Sequence, residues 1–311
     1  MNKRLNMKMI SVAMATYNGS KYLEEQVSSI LSQTYSNFEL VIVDDFSTDD
    51  TSRYLESIEK ESRVRVIYNK ENLGCVKSFE KAINNCQGEY VLLSDQDDVW
   101  EENKIEELLG AIGEYSLIYS DCEVINKYGD AQGYSFKKIN SMNGMDSKTS
   151  GFQSISIFNS FVLGCSMMFA ASLKKEILPI PQDRFNHDKW IVNIAAHKGG
   201  VKYLDQKLFK YRVHGENLSM KVNDVSLLSK IIKKFVSRGP EHHYSYDKLS
   251  EIIQRTGTRS TSIEKLLFDI KRLEGGSRLL RFWFAFKYKD YMWPKPYRGL
   301  SPRLFFSFIY R

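Results

Sequence analysis

The chain has 311 residues, 42% of them hydrophobic and 26% charged, which is the balance of an ordinary globular protein with one large core or a domain and an appendage. Its net charge of +6 is unevenly placed: Arg278 to Arg311 holds eight basic residues and one acid, so the remainder is about neutral and carries no diffuse nucleic-acid footprint. Cys75, Cys86, Cys122 and Cys165 show no C-x-x-C spacing, which argues against a zinc site or a disulfide framework and suits reduced, intracellular thiols.

The first 126 residues alternate in a βα rhythm. Ile10 to Ala15 reads as a buried strand ending in the turn Thr16-Tyr17-Asn18-Gly19. The run is too short for a signal peptide despite Lys3, Arg4 and Lys8 before it. A helical pattern follows through Leu23, Val27, Ile30 and Leu31. Phe38 to Val43 is the second strand, ending at Asp44-Asp45, and Ser47 to Thr51 supplies N-cap chemistry for a helix through Leu55 and Ile58. Val64 to Tyr68 is the third strand, a helix covers Val76 to Ile83, and Tyr90 to Ser94 is the fourth strand. Near-continuous apolar strands between helices predict a mostly parallel sheet with both faces covered. Ligands of such sheets bind beyond the carboxyl ends of the strands. Tyr17-Asn18, Asp44-Asp45 and Asp95 to Asp98 all fall there.

Lys127 to Ser150 is polar and reads as a long loop. Gly164 to Leu178 is apolar and is broken by Pro179-Ile180-Pro181. His187-Asp188-Lys189-Trp190 opens a helix pattern that stops at Gly199-Gly200. A strand pair, Val201 to Leu204 and Leu208 to Tyr211, leads to Arg212-Val213-His214, and helices are expected from about Val225 onward. No stretch approaches the ~20 apolar residues of a membrane span.

Asp95-Gln96-Asp97-Asp98 closes the fourth strand. Carboxylates packed this tightly repel each other and suit a hard divalent cation, Mg²⁺ or Mn²⁺, that also binds substrate phosphates. The plainer reading is a polar loop leading into the next helix.

Three segments carry a resemblance in order and spacing. They are Ala15 to Gly19, Val43 to Asp49, and Asn72-Leu73-Gly74 followed by Gly88-Glu89-Tyr90 and Asp95 to Asp98. Over roughly residues 9 to 220 the chain resembles an inverting family 2 glycosyltransferase. Asp95 to Trp100, with His187 to Trp190, is similar to a bacterial rhamnosyltransferase-like branch that builds surface polysaccharides, such as capsule or O-antigen. The resemblance implies the α/β GT-A fold, Rossmann-like, with a mostly parallel central sheet flanked by helices and a helical, basic-aromatic C-terminal extension. It divides the chain into a catalytic domain, 1–220, and an extension, 221–311.

Residue roles follow from the same resemblance. Tyr17 and Asp45 match positions at the nucleotide base, where a carboxylate accepts the imide N–H of uracil or thymine, and Ala15 lies in the same nucleotide-binding segment. Core packing for Tyr17 and helix capping for Asp45 are the structural alternatives. Asp97 matches a metal ligand, with Asp95 nearer the ribose or the metal's waters, Gln96 on the donor, and Asp98 ligating or orienting. His214 matches a histidine that contacts metal or diphosphate, and Arg212 and Lys77 are further candidates at the phosphates. Asp188 matches the general base, with an N-cap role as alternative; His187 and Trp190 are placed at the acceptor, with burial as the alternative for Trp190.

The implied reaction is transfer of one sugar, dTDP-rhamnose being the donor the branch suggests, to a lipid-linked saccharide or oligosaccharide. Mn²⁺ or Mg²⁺ is the expected cofactor. A UDP-hexose or UDP-N-acetylhexosamine donor fits the same mechanism, since uracil and thymine present one imide. A non-catalytic nucleotide-sugar-binding or membrane scaffold protein is the reading from another class. The chain lacks the Gln-x-x-Arg-Trp motif and the spans of processive synthases. The basic and aromatic residues after Arg278 suit a lipid headgroup layer, so a cytoplasmic protein peripheral on the inner face of the cell membrane is expected, with packing on the catalytic domain or in a homodimer as alternative.

Overall fold

The computed structural model describes residues 8–136, 162–182, 185–215, 246–257 and 261–273, together with residues 280, 283, 284 and 287. The βα rhythm is realised as β1 (Ile10–Thr16), α1 (Leu23–Leu31), β2 (Phe38–Asp44), α2 (Thr51–Ile58), β3 (Val64–Tyr68), α3 (Cys75–Asn85) and β4 (Tyr90–Ser94). There follow β5 (Val99–Trp100), α4 (Lys104–Ile112), β6 (Leu117–Ile125), β7 (Ala131–Ser135) and β8 (Met167–Ala170). A short α5 (Lys174–Ile177), α6 (His187–Lys198), β9 (Val201–Arg212), α7 (Tyr246–Thr256) and α8 (Thr261–Leu273) complete the described elements.

The strands form one sheet in the order β3-β2-β1-β4-β8-β6-β9-β5, with β7 on β6. The β1–β2, β2–β3 and β1–β4 pairs are parallel, and β8 enters antiparallel between β4 and β6. Side chains alternate across the strands and feed two cores. Ile10, Val12 and Met14 of β1 pack with α1 and α4 on one face. Ala13, with Val41 and Val43 of β2, packs with α3 and α6 on the other. Both faces are covered, as the apolar strands require.

Two expectations change. The start of the expected Lys127–Ser150 loop is a turn followed by β7, which pairs antiparallel with β6; residues 137–150 lie outside the described residues. The expected strand pair near 201–211 is one strand, β9, because its register against β6 shifts between Ser120 and Asp121 and the ladder then continues to Arg212. Of the helices expected from about Val225 onward, α7 and α8 are present, and residues 216–245 lie outside the described residues. Arg255 of α7 donates to the carbonyls of Leu178 and Pro179 at 3.1 and 3.2 Å and lies over the Trp190 ring. The rest of the basic-aromatic tail, apart from residues 280, 283, 284 and 287, lies outside the described residues.

Register sets the position of the site. Thr16 pairs with Asp44, Asp44 with Tyr68, and Met14 with Ser94. Backbone bonds extend the ladder, Asp45 N to Thr16 O at 2.8 Å and Asn69 N to Asp44 O at 2.9 Å. Tyr17, Asp45, Asn69 and Asp95 therefore emerge along one edge. Gly88 permits this packing, since a Cβ there would lie 2.7 Å from the backbone of Met9 and Ser11.

Candidate active site

The edge is built tightly. Asn18 and Phe46, at the ends of β1 and β2, are the non-glycine residues with positive φ among the described residues, at 48° and 66°. Asn18 is stabilised there: its N–H donates to Ser47 Oγ, and its side-chain oxygen accepts the Thr48 N–H. Phe46 is a bulky residue in a conformation that costs about 1–2 kcal/mol, and its side chain is exposed. Phe46→Asn is expected to raise stability by about 1 kcal/mol, because asparagine tolerates this region and little packing is lost. Chemical denaturation checks it; an unchanged or lower unfolding free energy would show that the Phe46 backbone carries no strain.

Asp45 is buried, and both carboxylate oxygens are used. Oδ1 accepts from Asn69 Nδ2 and Leu73 N, each at 2.8 Å, and Oδ2 accepts from Gly74 N at 2.8 Å. Gly74 has φ 84° and caps α3, so the capping alternative does hold for Asp45, at α3 rather than at the helix following β2. A carboxylate oxygen has two acceptor sites, which leaves Oδ2 capacity for a ligand donor. Tyr17 is 46% exposed, so core packing does not account for it. Ala15 is half-buried in β1 two residues earlier. Gln96 does not stand open to a donor. Its Oε1 accepts from Thr16 Oγ1 and Tyr17 N at 2.7 and 2.8 Å, and its Nε2 donates to Tyr17 O. The amide holds the end of β1 and with it Tyr17.

Within the acidic tetrad Asp97 and Asp98 are buried, and Asp95 and Gln96 are half-buried. Asp98 is fully buried and accepts the Arg212 N–H at 3.1 Å, so it orients the loop. Burial, then the charges of Asp97 and Asp95, push its carboxyl well above the ordinary range. Burial and Asp97 likewise push Asp95 up to about 7. Beneath them lies a residue the sequence reading did not single out. Lys104 is completely buried, with Nζ donating to Cys165 O at 2.7 Å and resting over the Trp100 and Phe209 rings at 3.8 and 4.3 Å. Burial lowers its pKa to about 8, while the nearby carboxylates oppose that shift.

Asp97 Oδ2 and His214 Nε2 are 2.7 Å apart, from β4's loop and from the residues after β9. The pair offers a carboxylate oxygen, the ligand type that suits Mn²⁺ or Mg²⁺, beside an imidazole nitrogen, a ligand of transition metals. A second set, Asp95, Asp98 and Cys165, brings its ligand atoms within 4.8 Å of one another. It is the poorer fit for a hard cation, because it includes a thiol, buries Asp98 completely and has the Lys104 ammonium among its electrostatic neighbours.

Asp188 sits in the first turn of α6, after the N-cap position Asn186, and its Oδ1 accepts the Lys189 N–H at 2.7 Å. The N-cap alternative for Asp188 is thereby replaced. Cys75 is the first residue of α3. Its thiol is pushed up to about 12 by burial and then by the charges of Asp95, Asp188 and Asp45. Asp45 reaches the amino end of α3 through Leu73 N and Gly74 N, and α6, which carries Asp188, packs on α3 through the His187–Phe79 stack. His187 stacks on Phe79 with centroids 4.1 Å apart, and burial lowers its pKa against the opposing charge of Asp188.

Three candidates have their polar atoms engaged by protein groups. Trp190 is fully buried, packs against Phe185, and donates Nε1–H to Ile177 O at 2.7 Å, so no ring face is left for a sugar. Arg212 is 2% exposed, and its guanidinium bonds to Asp97 O and Glu25 instead of standing open to phosphates. Lys77 lies along α3 and pairs with Glu80 at 2.8 Å.

Comparison with known proteins agrees with this architecture. The family model described as "Glycosyl transferase family 2" matches residues 11–178, more than half of the chain. An uncharacterized glycosyltransferase of Rickettsia conorii is 29% identical over 232 residues, covering 70% of this chain and 36% of that protein. The putative teichuronic acid biosynthesis glycosyltransferase TuaG of Bacillus subtilis is 39% identical over 113 residues, covering 36% of this chain and 45% of that protein. The chain therefore spans less than half the length of these two relatives. The crystal structure of S. aureus TarS 1-349 in complex with UDP superposes with a TM-score of 0.54 at 20% identity, covering 93% of this chain and 89% of that one. That likeness concerns the fold: an α/β sheet of the GT-A type.

Proposed function

The chain belongs to glycosyl transferase family 2, and from that premise we propose that it is a metal-dependent inverting glycosyltransferase that moves one sugar from a nucleotide-diphosphate sugar to a saccharide acceptor. The observations that support the reading are Asp45 held at the amino end of α3 by Leu73 N and Gly74 N, α6 with Asp188 packed on α3 through His187 and Phe79, and the Asp97–His214 pair.

Each residue has a task there. Tyr17 offers a flat face to the base, and Asp45, held by Leu73 N and Gly74 N, accepts the imide proton donor. Gln96 keeps Tyr17 in place through both ends of its amide. Asp97 and His214 would hold Mn²⁺ or Mg²⁺, which when bound neutralises charge on the departing diphosphate. Asp188 removes the proton from the acceptor hydroxyl as that oxygen attacks the anomeric carbon. The bond to the nucleotide diphosphate breaks on the opposite face, so the configuration inverts and no covalent sugar–enzyme species forms. Asp95 lies beside the donor ribose, and His187, fixed against Phe79, flanks the base.

The donor follows from the Asp95 to Trp100 sequence and its rhamnosyltransferase-like resemblance: dTDP-rhamnose, with a lipid-linked saccharide as acceptor. A UDP-sugar donor is the second reading. It is favoured by the TarS structures, one of which is in complex with UDP-GlcNAc. We place residues 1–220 as the catalytic domain and 221–311 as a helical extension at the membrane surface, on the cytoplasmic side. Among the described residues no helix is long and apolar enough to cross a membrane, and the exposed Phe268 and Trp283 suit the headgroup layer.

Calorimetric titration of the purified chain with dTDP-rhamnose, UDP-glucose, UDP-galactose and UDP-N-acetylglucosamine, in Mn²⁺, Mg²⁺ or EDTA, tests this. Metal-dependent preference for dTDP-rhamnose is the expected result. Preference for one UDP-sugar keeps the mechanism and replaces the donor. No binding by folded protein to any of them overturns the catalytic reading in favour of a non-catalytic scaffold.

A further inference from the structure

Arg212 is almost completely buried, yet it lies at the end of β9 beside the site. A buried guanidinium is tolerated only when its charge and donors are satisfied. The partners it finds are instructive. Its backbone N–H donates to Asp98 Oδ1 at 3.1 Å, its Nε to Asp97 O at 2.8 Å, and its NH2 to Glu25 Oε2 at 2.6 Å. Its guanidinium carbon lies 4.7 Å from the centroid of the Tyr22 ring. The Tyr22 ring also packs against the His214 ring, with centroids 5.0 Å apart. His214 in turn meets Asp97 Oδ2. The Arg212 side chain therefore touches the main chain of Asp97 and the ring that backs His214, while its backbone N–H holds the carboxylate of Asp98. Glu25, on the first turn of α1, closes the arrangement from the surface.

We propose that Glu25 and Arg212 are a positioning pair that sets Asp97 and His214 at the separation needed to hold a divalent cation. The inference rests on the assignment of Asp97 and His214 to the metal. It goes beyond that assignment in giving α1 a part in cation affinity. Glu25 orients the guanidinium, the guanidinium holds the Asp97 carbonyl and the Tyr22 ring, and these limit where the carboxylate and the imidazole point. Groups that orient ligands in this way change metal affinity by about 10–100-fold when removed.

Glu25 is the accessible member of the pair, its side chain 56% exposed, so its loss opens no cavity in the core. Mn²⁺ alone is titrated into the purified full chain, with bound and free Mn²⁺ separated by electron paramagnetic resonance, for the unaltered protein, Glu25→Ala and Glu24→Ala. Glu24 is exposed on the same turn and controls for the loss of one negative charge. The expected result is about 10-fold weaker Mn²⁺ binding for Glu25→Ala, measured at a temperature where circular dichroism shows it folded, with a lowered thermal midpoint because the buried Arg212 loses its carboxylate, and little change in either quantity for Glu24→Ala. Equal Mn²⁺ affinity in Glu25→Ala and the unaltered chain, or equal weakening in the two variants, overturns the positioning role and leaves the metal assignment standing. No Mn²⁺ binding by the unaltered chain overturns the assignment itself, and the inference with it.

Discussion

Asp188→Asn is expected to lower the rate of sugar transfer by about 10²–10⁴-fold, the range of a positioned general base, while leaving metal-dependent donor binding unchanged. The asparagine keeps the size and shape of the side chain. Its amide oxygen still accepts the Lys189 N–H that Asp188 Oδ1 accepts now, so α6 has no reason to move. What it lacks is a site that takes a proton from a hydroxyl. The loss therefore falls on the chemical step and not on the donor. Asp97→Ala is expected to behave in the opposite way, weakening donor binding in Mn²⁺ and matching the unaltered chain in EDTA. Nucleoside diphosphate release under saturating donor measures the first variant, and calorimetric donor titration measures both. Near-normal transfer by Asp188→Asn would remove Asp188 from the mechanism and send the search for a base to the neighbouring Asp95.

Trp190→Ala is expected to cost about 3–5 kcal/mol of folding stability, with no specific effect on acceptor affinity in whatever fraction folds. The indole is fully buried between Phe185 and the α5–α6 region, under Arg255. Its removal leaves a large apolar void and takes away the donor to Ile177 O, which is then buried without that partner. Trp190→Phe refills most of the volume and is expected to recover the larger share, leaving the missing indole N–H as the deficit. Urea denaturation of the three proteins checks the order. Full stability in Trp190→Ala with weakened acceptor binding would return Trp190 to the acceptor site and contradict its burial.

The contrast between Trp190 and Tyr17 shows how far local reasoning reaches. Both are aromatic residues at the edge of a motif, and both carry a functional and a structural alternative. Tyr17 follows a strand whose outward turn is already implied by Thr16-Tyr17-Asn18-Gly19, and its ring is exposed. Trp190 is on a helix whose apolar residues run nearly all the way round, from Trp190 to Ala196. Such a helix is buried on most sides, and that signal was present in the sequence. Arg212 is the harder case. A basic residue beside His214 reads naturally as a phosphate contact, and its partner Glu25 is 187 positions away in the chain. Lys104 carried no signal at all, since a lysine in the first turn of an amphipathic helix ordinarily reaches solvent.

Periodicity and motif order, properties of neighbours along the chain, were enough to determine the βα rhythm, the two covered sheet faces, the carboxyl edge and the family. Apolar spacing dictates which side of an element avoids water, and that preference does not depend on the partner. The tertiary structure alone decided which of the elements bearing carboxylates meet. β8 inserts antiparallel between β4 and β6, and α6, which carries Asp188, packs over α3, whose amino end Asp45 holds. It also decided that Gln96, Arg212 and Trp190 spend their polar atoms on the protein. The reason is that a buried donor or acceptor must find its complement wherever the fold supplies one, and hydrophobic periodicity carries no record of a partner so far away in the chain.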